Sequence, residues 1–246
     1  MTLVGFDTSM AVTAACVIPR SGEPVRTPRP APERLLAPPE HSAELLPALA
    51  ALLEQAGSGW DEVTAIAVGV GPGTFTGLRI GLATARALGQ GLGVPLHPVS
   101  SLAALAAGMA ADAGTPRDSY LLPLIDARRR QVFAALYRAR DQPVSEWGPL
   151  ALSGAELEQR IVEAPQTPLA AGDWALESRA RLEAAGAAVP AHESGLHAID
   201  ALHVCRLARH VEPCAPERVH PVYVRQPDAE IARSARDEAD RGDGAA

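Results

Sequence analysis

The chain has 246 residues, 47% of them hydrophobic, enough for one substantial core or two modest ones, and its composition excludes a disordered or fibrous protein. All 22 basic residues are arginine, so no lysine exists to clamp a P-loop phosphate, form a Schiff base or act as a desolvated amine base. Against 29 acidic residues the net charge is −7, which repels polyanions at long range and argues against autonomous nucleic-acid binding.

Residues 3–6 and 12–18 read as short apolar strands around the turn-forming Asp7-Thr8-Ser9, so the chain is predicted to open with a hairpin. Six prolines over residues 20–39 mark a connection with one edge strand near Leu35-Leu36, because proline cannot donate to a ladder. From Ser42 onward Leu45, Leu46, Leu49, Leu52 and Leu53 recur with helical spacing up to Gly57; Pro47 either kinks this helix or moves its start later. Residues 63–70 form the continuous apolar run of a buried parallel strand, followed by a glycine loop over 71–77 and a helix over 78–90. Gly81, Ala85 and Gly89 share one face of that helix and leave a groove for close backbone approach. A strand over 95–99 and a helix over 101–111 complete a first α/β lobe, 1–112.

A second lobe, 113–227, begins with a strand over 121–125, the turn Asp126-Ala127-Arg128 and a return strand over 131–137. Helices over 155–163, 175–185 and 198–211 and a last short strand or extended segment over 221–225 follow. Residues 228–246 mix charges without apolar period and are predicted to be a disordered tail. No apolar stretch approaches the ~18 to 20 residues of a membrane span, and the first residues lack a basic flank ahead of an apolar run. Cys16, Cys205 and Cys214 suit free thiols in a reducing compartment, so a cytoplasmic protein is expected.

The glycine loop is neither familiar nucleotide motif. Gly71, Gly73 and Gly77 are spaced one residue too long for the dinucleotide fingerprint, and Leu78-Arg79 stands where a P-loop needs Lys-Ser or Lys-Thr. Its amides either face a phosphate or permit a tight strand-to-helix turn. Asp7-Thr8-Ser9 offers the carboxylate and hydroxyls of a Mg-phosphate site, or a simple Asx turn; Asp126 and Arg128 are a polar site between lobes, or a charged hairpin turn. Leu45 occupies the i+4 position where a second histidine would complete a metal pair with His41, so no metal is expected and His41 reads as a cap or interface residue. His192, His197, His203, His210 and His220, with Cys205 and Cys214, match no ligand spacing and are read as structural. Gly-x-Ser-x-Gly, Cys-x-x-Cys and His-Glu-x-x-His are all missing, and no catalytic residue is assigned.

Gly5-Phe6-Asp7-Thr8-Ser9, His41-Ser42 with Leu45-Leu46-Pro47, the stretch 69–79 with Gly81, Ile125-Asp126-Ala127-Arg128 and Pro221-Val222-Tyr223-Val224-Arg225 occur in this order along nearly the whole chain. In these segments the chain resembles the TsaB (YeaZ) family, the smaller paralogue of TsaD; the loop over 71–79 is the specific element and the others are weak singly. The resemblance implies an α/β fold of two actin-like lobes, as in sugar kinases and actin, each a mixed β-sheet flanked by helices. It implies a non-catalytic scaffold for TsaD in the transfer of threonylcarbamoyl to the adenosine next to the tRNA anticodon. The ATPase TsaE would engage the pair, ATP and metal would sit on those partners, tRNA would be met only through the complex, and the isolated chain has homodimerisation as a further option. Partner contact is implied for the two long helices of the first lobe, with His41, Leu45, Leu49, Leu53, Leu78, Gly81, Leu82, Ala85 and Arg86 as candidates; the leucines face either partner or core. Asp7, Thr8, Gly71, Gly73, Thr74, Gly77, Asp126 and Arg128 would be a vestigial phosphate region, since Asp7-Thr8-Ser9 lacks the glycine usual in the superfamily's first phosphate loop. The alternative is an active actin-fold ATPase or small-molecule kinase.

Overall fold

The computed structural model describes residues 2–224; Arg225 and the tail expected over 228–246 lie outside the described residues. The first sheet contains β1 (Thr2–Asp7), β2 (Ala14–Ile18), β3 (Val25–Arg26), β4 (Val63–Gly69) and β5 (Leu96–Val99), in the order β3-β2-β1-β4-β5. Its first three strands pair antiparallel and β1, β4 and β5 pair parallel. The second sheet holds β6 (Tyr120–Asp126), β7 (Gln131–Arg138), β8 (Val144–Ser153) and β9 (Leu169–Ala171), in the order β8-β7-β6-β9, with β6 and β9 parallel. Eight α-helices are found among the described residues: α1 (Pro32–Leu36), α2 (His41–Gln55), α3 (Phe75–Leu92), α4 (Ser101–Ala110), α5 (Gly154–Val162), α6 (Asp173–Glu177), α7 (Arg179–Ala184) and α8 (Ala201–Ala208).

Strand alternation sorts the core into layers. On the first sheet Val4, Phe6, Ala15, Val17, Ile66 and Val68 point to one face, where they pack with the leucines of α2 and with Leu82 and Ala85 of α3. The opposite face carries Leu3, Ala14, Cys16, Ala65 and Ala67, mostly smaller side chains, and packs with α4 and α8. That smallness brings α8 close: a Cβ on Gly5 would come within 2.3 Å of the Cys205 sulfur. α4 and α8 also cover one face of the second sheet through Leu121, Ile125, Phe133 and Ala135, while its other face packs with Leu157 and Ile161 of α5 and Leu182 of α7. The result is five layers, helices and sheets alternating. Both faces of both sheets are apolar, which is why the central strands read as continuous apolar runs.

Several elements differ from the sequence reading. Leu35-Leu36 lies in a helix, because Pro32 takes the first-turn position where a missing N–H costs nothing, and the edge strand is Val25–Arg26 instead. α2 starts at His41 and runs through Pro47, whose ring faces solvent. The helix expected over 175–185 is broken at Ser178 into α6 and α7, and α8 is shorter than expected, starting where the Asp200 carboxylate accepts from the Leu202 amide at 2.9 Å. β8 and β9 were not anticipated. Residues 221–224 form no strand, although the Val222 amide donates to the Val70 carbonyl at 2.8 Å. No helix among the described residues is long and apolar enough to cross a membrane.

Candidate functional site

The turn after β1 is held by its own residues. Asp7 is buried; its Oδ1 accepts from the Ser9 amide at 2.7 Å and the Ser9 hydroxyl at 2.6 Å, and its Oδ2 accepts from the Ser101 hydroxyl at 2.6 Å. Ser101 opens α4 and accepts from the Gly71 amide at 3.1 Å, so one hydrogen-bonded chain ties the β1 turn, the glycine loop and α4 together. The Thr8 hydroxyl donates to the Gly77 carbonyl at 2.7 Å.

This turn fills the space that the glycines leave. A Cβ on Gly69 would lie 1.8 Å from Asp7 Oδ2, on Gly73 2.3 Å from Ser9 Cβ, on Gly77 2.0 Å from the Thr8 carbonyl and on Gly81 2.3 Å from the Thr8 hydroxyl. The groove at Gly81, assigned to a partner's backbone in the sequence reading, is filled by the Thr8 side chain of the chain's own β1 turn. Gly71 also needs a left-handed backbone, with φ of +100°.

Asp126 and Arg128 sit at the mouth of the cleft between the two sheets' lobes. The Asp126 carboxylate accepts from the Arg128 amide at 2.8 Å and pairs with its guanidinium at 3.1 Å, a self-satisfied hairpin turn in which Arg128, Arg129 and Arg130 all have positive φ. The Asp126 amide and the Trp174 amide both donate to Asp173 Oδ1, at 2.9 and 2.8 Å. Asp173 is fully buried, and burial pushes its carboxyl up to about 7, the nearby Asp126 charge adding to this and the two amides opposing it. Together with Thr74, Ala11, Glu177 and the Leu35 and Leu36 side chains of α1, these residues enclose only about 40 Å³. The Thr74 hydroxyl is buried there without a hydrogen-bond partner among the described residues. The sequence reading missed both Asp173 and the α1 wedge; the available signal was the Gly172-Asp173 corner after the short apolar run of β9.

The candidate partner residues are mostly interior. Leu45, Leu49, Leu53, Leu82 and Ala85 are buried in the cluster beneath α2 and α3, and Leu78 packs against Gly71. His41 is buried too: its Nε2–H donates to the Met10 carbonyl at 2.9 Å, leaving Nδ1 to accept from the Thr13 hydroxyl at 2.8 Å, and burial holds its pKa below the ordinary 6.5. Arg86 donates to the Val219 carbonyl and so ties the C-terminal segment to α3. The periodicity located the helices and their apolar stripe, and the stripe faces the sheet. The outward faces of the same helices present Ala43, Leu46, Ala50, Ala83 and Ala87, with Phe75 and Tyr223 in ring contact at 5.7 Å nearby. Among the described residues no group of three or more His, Cys, Asp or Glu side chains could hold a metal ion.

A family model described as TsaD: tRNA N6-adenosine threonylcarbamoyltransferase matches residues 32–153. The tRNA threonylcarbamoyladenosine biosynthesis protein TsaB of Bacillus subtilis (strain 168) is 38% identical over 101 residues, 41% of this chain and 42% of that protein. TsaB of Escherichia coli (strain K12) is 38% identical over 107 residues, 44% of this chain and 45% of its own length. These matches span less than half the length of the curated relatives. The crystallised YeaZ from Pseudomonas aeruginosa superposes along almost its whole length, with a TM-score of 0.73 at 26% identity over 90% of this chain and 99% of that one. The chain is similar to TsaB and YeaZ proteins in both sequence and fold. Its sheets correspond to the two lobes of the actin-like fold, and a more distant neighbour, the inorganic polyphosphate/ATP-glucomannokinase from Arthrobacter sp. strain KM, shares that fold with a TM-score of 0.50 at 13% identity over 85% of this chain and 98% of its own. In this chain the glycine loop packs against the β1 turn and the Asp-Ala-Arg turn closes on itself.

Proposed function

We propose that the chain is a non-catalytic cytoplasmic subunit in the biosynthesis of tRNA N6-threonylcarbamoyladenosine, with lobes over 1–112 and 113–227, and that it docks on TsaD, which carries the transfer chemistry. The family names support the pathway. The observation that carries the non-catalytic reading is the state of the cleft: α1 leaves about 40 Å³ there, well below the ~300 Å³ of a small-molecule site. The groups that would meet a phosphate are committed elsewhere, Asp7 to Ser9 and Ser101, Thr8 to Gly77, and Asp126 to the Arg128 amide. ATP and metal then belong to partners, TsaD and the ATPase TsaE, and tRNA is met through the assembly.

The docking face in this reading is the outer side of α2 and α3. Alanines at 43, 50, 83 and 87 let a partner helix approach closely, and Leu46 and Phe75 supply exposed apolar area at 49% and 40% exposure. Isolated chains have the same face available for self-association. Co-purification with TsaD, followed by a tRNA-modification assay with and without this chain, tests the reading. Full modification by TsaD and TsaE without it, or ATP turnover by the chain alone, refutes it.

A further inference from the structure

A second cavity, of about 380 Å³, lies beside β2 and β3 under α4, α8 and the segment leading to α8, away from the α2 and α3 face. Its wall is mixed, with an apolar part built by Met10, Leu35, Leu105, Met109, Leu196 and Ile199 beside polar and charged groups, and its volume falls in the range of small-molecule sites, about 300 to 1,000 Å³.

Three polar features define what could occupy it. His203 of α8 is 8% exposed, lines the cavity, and has no hydrogen-bond partner for its ring among the described residues. Burial keeps that imidazole neutral at physiological pH, so it offers one donor and one acceptor. Arg29 stands at the rim without an ion-pair partner among the described residues; its guanidinium lies against Gly195, where a Cβ would come within 2.6 Å of Nε, so the glycine makes room for it. Of the other charged groups in the lining, Arg26 pairs with Asp200, while Asp7 has hydrogen bonds from Ser9 and Ser101 but no cationic partner among the described residues. The cavity thus combines an apolar body, one uncommitted cation and one buried neutral imidazole.

We propose that this cavity binds a small organic monocarboxylate with an apolar body, the carboxylate meeting Arg29 and a polar atom of the ligand reaching His203. A nucleoside triphosphate does not fit this chemistry, since several phosphate charges would face a single arginine in a chain of net charge −7. The wall includes the segment carrying Leu196 and Ile199, which follows the second sheet, together with residues of the first lobe, so an occupant touches both lobes. The site is separate from the helix face assigned to the partner.

The probe is 1-naphthaleneacetate, compared by calorimetry with the neutral 1-naphthaleneacetamide of equal size, using the full chain. The acetate is expected to bind at least fivefold more tightly, and Arg29→Met to abolish that preference. Gly108→Leu places a side chain in the cavity and should abolish binding of both probes; at this position a Cβ meets only the His203 ring at 3.6 and 3.9 Å, an ordinary contact. Equal affinity for the two probes, absence of binding by either, or binding retained in a normally melting Gly108→Leu chain overturns the proposal. Should Gly108→Leu fail to fold, the surface substitution Arg29→Met still decides the role of the cation.

Discussion

Asp173 is the residue through which pH should act most strongly on this fold. Its carboxyl titrates near 7 in the folded chain against an ordinary value of 3.8, a gap worth roughly 4 kcal/mol at 1.36 kcal/mol per tenfold change. The sign follows from linkage: between about pH 4 and pH 7 the folded state holds the proton more tightly than the unfolded chain, so this group's contribution falls as pH rises and the cost is complete above about 7. Asp173→Asn keeps an oxygen for the Asp126 and Trp174 amides and removes the titration. In urea unfolding, the stability of Asp173→Asn relative to the native chain should increase between about pH 4 and pH 8, with about 4 kcal/mol as the ceiling and water penetration reducing it. Contributions from His41, His197 and His203, also shifted by burial, are common to both chains and cancel in the difference. Parallel stability curves across that range would refute the argument, because they would mean that Asp173 is ionised at little cost.

The packing of the β1 turn predicts a double-mutant result: Gly81→Ala should cost about 1 to 3 kcal/mol in the native chain but little in a Thr8→Ala background, whereas Gly77→Ala stays costly in both because its clash is with the Thr8 backbone carbonyl. Chemical denaturation of the five variants, three single and two double, checks this. His41, neutral and depressed by burial, contributes stability that is present above about pH 6.5 and lost as pH falls below it; its ring resonances by NMR should titrate below 6.5, and an unshifted midpoint contradicts the geometry. Ala83→Arg on the outer face of α3 should leave the melting temperature unchanged and prevent co-elution with TsaD, while Ala85→Leu, in the core, should lower the melting temperature first. A melting loss for Ala83→Arg, or unaltered co-elution, would move the docking face elsewhere.

The strands and helices of the first lobe were legible because their apolar residues repeat with clear periods: Leu45, Leu49 and Leu53 along α2, and the unbroken run of β4. What periodicity does not carry is direction. A stripe of leucines on a helix next to a sheet has the same spacing whether it faces that sheet or a partner, and only the depth of Leu45 and Leu82 decided it. Gly81 was read as a site of close backbone approach, but what fills its space is the Thr8 side chain, more than seventy positions away in sequence, which no local pattern encodes. β8 escaped notice because Val144, Ser145 and Glu146 are exposed and polar enough to resemble a loop, and their pairing with β7 is a tertiary choice. Asp173 was hidden for the opposite reason: an acid in a short polar corner reads as surface, and its burial arises from where β9 delivers it.

α1 is only five residues long, but it places Leu35 and Leu36 where the two lobes of a sugar kinase would swing together around a substrate. A two-lobed enzyme uses that swing to exclude water and align reactants, so its shape must be soft along one coordinate. Here Leu35 and Leu36 line what little space the cleft has. In the proposed scaffold role, a cleft lined this closely suits a spacer of fixed span better than a pair of lobes that must close on a substrate.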